Sequence, residues 1–166
     1  KNTSIDTATF DFIFFKAVDN KLRSKSFDII TAFVNANKIH SLEVGYSENT
    51  NQFVDNFEVL CSKLSKALSQ NTSIYSLFFD PRDIREKNFF SDDMIKKEFE
   101  AIQSFVKQVF EPGKTKIRFF RFESALTALL EYPYNMLAFL QNVKGLIAKN
   151  SKLLTMNIAS SYGSSN

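Results

Sequence analysis

Two single residues, His40 and Cys61, are the first places to look for nucleophilic or metal chemistry. They are the one His and the one Cys in 166 residues. A structural zinc site needs about four Cys or His ligands, and a hydrolase triad needs a His beside a positioned nucleophile. These counts exclude a typical zinc site and a disulfide framework. We expect His40 to face solvent or to bond locally, and Cys61 to be a small core residue on a helix.

A group of carboxylates between Asp80 and Asp93 could bind a metal or act as an acid and a base. The same residues also suit local structure, because Asp80 precedes Pro81 as in a turn. Asp92 and Asp93 follow Ser91, which is a natural helix N-cap, and acidic residues are favourable in the first turn of a helix. We favour the structural interpretation. An enzyme fragment with an acidic site at Asp80–Asp93 is the alternative.

The segment Lys114–Phe122 mixes cations with aromatic rings, as surfaces that bind single-stranded nucleic acids do. Strand alternation sends Phe120 and Phe122 to the core and leaves only Phe119 and Arg121 facing outward. The net charge is only +3, which is too small to drive phosphate binding by counterion release alone. Nucleic acid is therefore not the expected partner, and an RNA-binding module using Phe119 and Arg121 is a second alternative.

The composition is that of a folded protein, with 44% hydrophobic and 23% charged residues and 19 Phe to build the core. Four separate Gly form no phosphate-binding loop, so we expect no cofactor. No apolar run approaches the roughly 20 residues that span a bilayer, so we expect no membrane insertion. We expect the protein to occur in a reducing compartment. We expect a single domain over residues 1–160 and a disordered tail over 161–166. Because the sequence begins with Lys1 and not with Met, we expect it to be part of a longer protein.

One short phrase recurs along the chain, with the pattern apolar-x-x-apolar-x-apolar after a polar turn. Its clear copies are Asn37–Val44, Asn71–Phe79, Lys114–Phe122 and Asn150–Ile158, and a weaker copy is Asn2–Phe10. The first apolar residues of the copies lie at positions 5, 39, 74, 117 and 153, which are spaced by 34, 35, 43 and 36. The alternation at the end of each phrase predicts a short strand.

Helical spacing of apolar residues lies between the phrases. Ser26 could cap a first helix, and a second carries Phe57, Leu60, Leu64, Ala67 and Leu68. The third begins at Ser91, carries Phe99, Ile102, Phe105, Val106 and Val109, and stops at Pro112-Gly113. The fourth runs from about Asn135 to Asn150. The long third interval can hold Pro81–Ile84 with Lys87–Phe90, and Ser124–Leu130 can add a helical turn.

Repeats of one strand and one helix with nearly constant length stack best when strand lies beside strand and helix beside helix. The sequence therefore predicts an α/β solenoid of four to five repeats, with a parallel sheet on one side and helices on the other. The phrase Ile-x-x-Leu-x-Phe, following an amphipathic helix and an Asn-Thr-Ser turn, resembles the leucine-rich repeats of the ribonuclease-inhibitor kind. Long, loose versions are similar to those of bacterial effector proteins that act in a host cell. The ninth repeat position, where that family has Asn, holds Ser47, Arg82, Ala125 and Ser161.

That resemblance implies a module that binds a protein partner through the outward residues of its strands, with no catalytic site. By alternation, the polar outward positions are Thr7, Thr9, Ser41, Ser76 and Thr155. The residues that we expect to bind the partner are Glu43, Tyr46, Phe78, Asp80, Phe119, Arg121 and Asn157. Tyr46 and Asp80 are placed just beyond strand ends, and Phe78 and Phe119 are predicted to be neighbours that anchor the partner.

Overall fold

The computed structural model describes residues 5–14, 20–36, 38–84, 91–111, 113–124, 126–149, 152 and 155–160. Several sequence expectations fall outside these residues and have no structural counterpart here. They concern the turn 2–4, the segment 87–90, the stop at Pro112, the helix cap at Asn150 and the tail 161–166.

Strands and helices alternate along the chain in the order that the recurring phrase predicts. The strands are β1 (Ile5–Phe14), β2 (Ile39–Glu48), β3 (Ser76–Asp83), β4 (Phe119–Ser124) and β5 (Thr155–Ser160). The helices are α1 (Asn20–Ala36), α2 (Phe53–Gln70), α3 (Asp92–Phe110), α4 (Thr127–Leu130) and α5 (Pro133–Lys149). The short α4 is the added helical turn expected within Ser124–Leu130.

The five strands form one parallel sheet in the order β1-β2-β3-β4-β5. Leu42 pairs with Leu77, Leu77 pairs with Phe120, and Phe120 pairs with Met156. The same offset aligns β1 with β2, where Ala8 pairs with Leu42. Equivalent positions of the five phrases therefore lie side by side, and the predicted register is confirmed.

The core lies between one face of the sheet and the helices, because every second strand residue packs with the apolar stripes of the helices. In β3, for example, Leu77 and Phe79 are buried. Phe rings carry much of this packing: Phe79 contacts Phe57, Phe105 and Phe122, with ring centroids 6.2, 4.8 and 6.1 Å apart. The helices α1, α2, α3 and α5 also pack against one another in that order.

Two helix starts test the capping predictions. Ser91 caps α3 as predicted, since its Oγ accepts a hydrogen bond from the Met94 N–H at 3.3 Å. Asp92 and Asp93 occupy the first turn. The prediction for Ser26 is wrong, because α1 already begins at Asn20 and Ser26 lies inside it. The mostly polar residues that open α1 have no apolar periodicity, so the predicted helix began about two turns too late.

A buried polar cluster joins α1, β2 and α2. Glu48 lies on the core face of β2 and forms an ion pair with Arg23, and both side chains are fully buried. Glu48 also accepts hydrogen bonds from Tyr46, Thr50 and Asn56. A buried carboxylate is tolerated only with such a set of partners, so this cluster ties the first two repeats together.

The predicted Asn-Thr-Ser turn before β3 links two repeats. Asn71 Oδ1 accepts hydrogen bonds from the backbone N–H groups of Ser73 and Ile74, at 2.8 and 2.9 Å. Its amide nitrogen donates to the Val34 carbonyl oxygen of the preceding repeat at 2.9 Å. One side chain thus fixes the turn and binds it to the neighbouring helix end.

Candidate functional site

The sheet face opposite the helices, here called the outer face, is made of the strand residues that alternate with the core positions. In register across all five strands, its first two rows are Thr7–Ser41–Ser76–Phe119–Thr155 and Thr9–Glu43–Phe78–Arg121–Asn157. The third row consists of Asp11–Gly45–Asp80 across β1 to β3 and Glu123–Ala159 across β4 and β5. These side chains are half-buried or exposed. The predicted outward positions therefore lie on one continuous surface, apart from Tyr46.

An aromatic row runs along the start of the strands and consists of His40, Tyr75 and Phe119. The Tyr75 and Phe119 side chains are 42% and 41% exposed, and their rings meet edge to face with centroids 6.3 Å apart. His40 stacks on Tyr75 at 5.6 Å. Large rings that touch one another while remaining open to solvent are typical of recognition surfaces.

The backbone holds this aromatic row in place. The Tyr75 N–H donates to the His40 carbonyl oxygen at 3.0 Å. The Tyr75 carbonyl oxygen accepts from the N–H groups of Arg118 and Phe119, at 2.7 and 3.0 Å. Tyr75 is thus fixed between the two neighbouring strands although it precedes β3. Rings on a rigid backbone lose little conformational entropy when a partner binds.

The second row of the outer face pairs an aromatic ring with a cation. The Arg121 guanidinium carbon lies 4.8 Å from the centre of the Phe78 ring, which is a cation–π contact. Arg121 Nε also donates to Glu123 Oε1 at 2.8 Å. At the other end of the row, the Thr9 hydroxyl donates to Glu43 Oε2 at 3.1 Å.

The third row carries carboxylates around one arginine. Arg82 forms a forked pair with Asp80, with its Nε and Nη2 atoms 3.0 and 2.7 Å from Asp80 Oδ2. The hydrogen bond and the charge of Asp80 raise the pKa of Arg82, and the charges of Glu123 and Asp11 add to this effect. This end of the outer face is therefore an acidic rim with its cation already paired.

Gly45 makes space within this acidic rim. A Cβ atom at position 45 would overlap the carboxylate of Asp11, the residue paired with it on β1. The Asp11 side chain therefore leans across β2 toward β3, which the absence of a side chain on Gly45 permits. No sequence pattern singled out this pair, because the contact crosses strands 34 residues apart.

Parts of the predicted binding surface need correction. Tyr46 is buried in the core with 1% exposure, because β2 continues to Glu48 and position 46 has the same parity as Leu42 and Val44. Phe78 and Phe119 are not direct neighbours, since the register pairs Phe78 with Arg121 and Phe119 with Ser76. All of the predicted residues except Tyr46 lie on the outer face, with Asp80 inside β3 and not beyond its end.

Alternation along the strand does not place Tyr75 on this surface, because Tyr75 precedes β3. A signal was present. Tyr75 occupies the second position of its phrase, the position that holds His40 and Arg118 in the adjacent copies. Bulky side chains at the same position of stacked phrases must lie in one row.

The structure also bears on the other chemistry considered above. The His40 side chain is 38% exposed, and its Nδ1 lies 3.4 Å from Asp6 Oδ1 on the neighbouring strand β1. Cys61 is buried in α2, and burial, with a smaller effect of Glu58, raises its pKa well above the usual value. A thiol of this kind is a poor nucleophile at neutral pH.

Within the described ranges no group of three or more His, Cys, Asp and Glu side chains could hold a metal ion.

The structure describes only part of the residues behind the two alternatives, because residues 85–90 lie outside the described ranges. Asp80 is engaged by Arg82, and Asp92 and Asp93 lie at the start of α3, where the helix dipole favours them. On the outer face, Arg82 and Arg121 are each paired with a carboxylate. Such pairs leave little positive potential for a phosphate backbone.

Comparisons with protein-family models, with curated proteins and with solved structures give no significant match. The described part of the chain also contains no helix that is long and apolar enough to cross a membrane. Function must therefore be inferred from the geometry of the fold and of the outer face.

Proposed function

We propose that this protein is a short solenoid of the leucine-rich-repeat kind that binds a protein partner through its outer face and has no catalytic site. The observation that carries this proposal is the exposed aromatic row, in which Tyr75 and Phe119 touch on a largely polar face of the sheet. Its further assignment to a bacterial effector acting in a host cell rests on the resemblance of the repeats alone.

The arrangement around the aromatic row supports protein recognition over other kinds of binding. Protein interfaces have apolar anchors that lose water, surrounded by polar residues that fix orientation. Here the anchors are Tyr75, Phe119 and the Phe78–Arg121 pair, and the rim is formed by Glu43 and the carboxylates around Arg82. The partner would therefore offer apolar side chains to the rings and a basic group to the rim.

The test is affinity capture of partners with the wild-type protein and with the Tyr75→Ala/Phe119→Ala double variant, followed by titration of the partner that is identified. We expect the double variant to bind at least roughly a hundredfold more weakly, which is the loss of two hot-spot residues. A second double variant, Phe78→Ala/Arg121→Ala, should weaken the same partner by roughly tenfold.

The matched control replaces exposed apolar residues that lie on the helical layer. Tyr134 in α5 and Ile29 in α1 are 88% and 55% exposed. The Tyr134→Ala/Ile29→Ala variant should bind the partner as the wild type does. Equal binding by the Tyr75→Ala/Phe119→Ala variant, or an equal loss in the control, would remove the outer face as the binding site.

A further inference from the structure

A polar cleft of about 450 Å³ lies between α2 and α3, in the middle of the helical layer. Each of these helices has another helix on its other side, α1 beside α2 and α5 beside α3. The cleft is therefore bounded by described elements and does not lie at an end of the repeat stack. Its volume is within the range of sites that bind small molecules.

Small side chains leave this space open. On α2 the cleft is lined by Cys61, Ser62 and Ser65, and on α3 by Ala101 and Ser104. Their spacing of three and four residues places them on the facing sides of the two helices.

The neighbouring boundary between α1 and α2 is closed by a longer side chain. There Lys63 donates to the Ser24 carbonyl oxygen at 2.8 Å and pairs with Asp28. Within the described ranges, none of the α2 residues that line the cleft makes such a bridge to α3. The polar groups of the cleft therefore keep their hydrogen-bonding capacity for another molecule.

One of these polar groups is a buried hydroxyl. Ser65 is only 5% exposed, and its Oγ has no hydrogen-bond partner in the described part of the chain. Ser65 lines the cleft and also a second polar cavity of about 310 Å³ that shares Ser62 and Gln108 with it. A buried hydroxyl without a partner is costly, and folded proteins nearly always supply one. A hydroxyl group of a ligand in the cleft can make this hydrogen bond.

The charged groups of the cleft favour a cation. The two carboxylates that line it, Glu58 and Glu100, outnumber its one cation, Lys97. Glu100 is also 4.0 Å from Lys96, whereas Glu58 forms no ion pair with any described residue. Burial raises the pKa of the Cys61 thiol, and the charge of Glu58 adds to this effect. The negative charge of Glu58 is therefore felt at the floor of the cleft.

We propose that the cleft between α2 and α3 binds a small polyhydroxylated compound with one ammonium group, such as an amino sugar. The ammonium group pairs with Glu58, and hydroxyl groups bond to Ser62 and Ser65. This site goes beyond the proposed function, because it lies on the helical side of the sheet and needs no protein partner.

Glucosamine and glucose are matched probes, since they differ only by an ammonium group in place of one hydroxyl group. Binding to the full chain is followed by NMR of the backbone amides at a slightly acidic pH, where the amine is protonated. We expect glucosamine to bind with a dissociation constant on the order of 1 mM, which is typical for about a dozen heavy atoms. Glucose should bind roughly fivefold more weakly, and added salt should reduce the difference. Equal binding of the two sugars, or no binding of glucosamine at several tens of millimolar, would overturn the proposal.

A charge variant and its control locate the ammonium group. Glu58→Gln should lower the affinity for glucosamine to that for glucose. Asp55→Asn removes a carboxylate from the first turn of the same helix, outside the cleft, and should leave both affinities unchanged. An equal loss in the two variants would mean that the sugar responds only to the overall charge of α2, and the site would be wrong.

A hydroxyl variant separates binding from folding. Ser65→Ala should weaken both sugars by roughly fivefold, which is the loss of one hydrogen bond. It should not lower the midpoint of urea unfolding, because the hydroxyl that it removes has no partner in the protein. Unchanged sugar binding together with a lower midpoint would show that this hydroxyl serves the fold, and would contradict the proposal.

Discussion

The two faces of the sheet are made by the same five strands, yet they are built in opposite ways. The core face carries closely packed Phe and Leu residues, which are buried against helices. The outer face carries mostly Thr, Ser and charged residues, with Tyr75 and Phe119 in contact at the start of the strands and Phe78 against Arg121. Alternation along each strand therefore separates the residues that fold the protein from those that remain for binding, and adjacent residues can have unrelated roles.

The largest contrast is expected between two adjacent residues of β3. Leu77→Asp would place a carboxylate in the core and should cost more than about 4 kcal/mol, which is enough to unfold a marginally stable domain. Phe78→Asp replaces a half-buried residue beside Arg121 and should cost less than about 1.5 kcal/mol. Circular dichroism during urea unfolding measures both. Greater damage from Phe78→Asp would reverse the assignment of the two faces.

A second contrast lies within β2, where two glutamates point to opposite faces. Glu48→Ala should cost about 3–5 kcal/mol, because Arg23 would remain buried without its carboxylate. Glu43→Ala removes only the exposed hydrogen bond with Thr9 and should change the free energy of unfolding by no more than about 0.5 kcal/mol. Similar values for the two variants in chemical denaturation would show that the buried cluster does not hold the repeats together.

A smaller effect is expected on the outer face at Gly45. Gly45→Ala should destabilise by about 1 kcal/mol or less, because the Asp11 side chain can move away from the new methyl group. In the Asp11→Ala background the same change should be neutral or stabilising, since Ala suits a strand better than Gly. The double-mutant cycle measures this coupling in unfolding free energy. Simple additivity would mean that Asp11 does not occupy the space above Gly45.

The smallest effect concerns pH and Cys61 in the core. Burial raises the pKa of this thiol in the folded state. At pH values below about 8.5, which is the thiol pKa in the unfolded chain, the neutral thiol therefore makes its full contribution to the free energy of unfolding. The contribution is lost as pH rises above that value, because only the unfolded state then ionises. The stability difference between wild type and Cys61→Ala should therefore shrink from pH 8 to pH 10. A difference that stays constant over this range would contradict the burial of the thiol.

The sequence allowed the strand order, the parallel pairing and the register to be predicted, because the phrase recurs with its apolar residues in the same places. The predictions were wrong where the local sequence pattern did not mark the start or the end of a strand or helix. Tyr46 was assigned to the surface because β2 was taken to end after Val44, and strand length is set by pairing with β1 and β3. The extra turns at the start of α1 carry polar residues, and their place in the helix is set by tertiary contacts such as that of Arg23 with Glu48.

Much of the candidate site was predictable for the same reason, since alternation places Glu43, Phe119 and Arg121 outward. The contacts between those residues were not. Tyr75 precedes the strand, and its place beside Phe119 follows from backbone hydrogen bonds to two neighbouring strands. The burial of individual strand residues was likewise not predictable, because a partly buried Ile158 and a fully buried Phe122 have the same pattern in sequence.

The measurement that tests the central claim most directly is the free energy of unfolding of two double variants. Tyr75→Ala/Phe119→Ala removes two rings of the exposed aromatic row. Leu77→Ala/Phe120→Ala removes two core residues, one from β3 and one from β4. We predict a loss below about 1.5 kcal/mol for the first pair and above about 4 kcal/mol for the second. A comparable loss for both pairs would mean that the outer rings serve the fold, and would contradict their proposed role in binding.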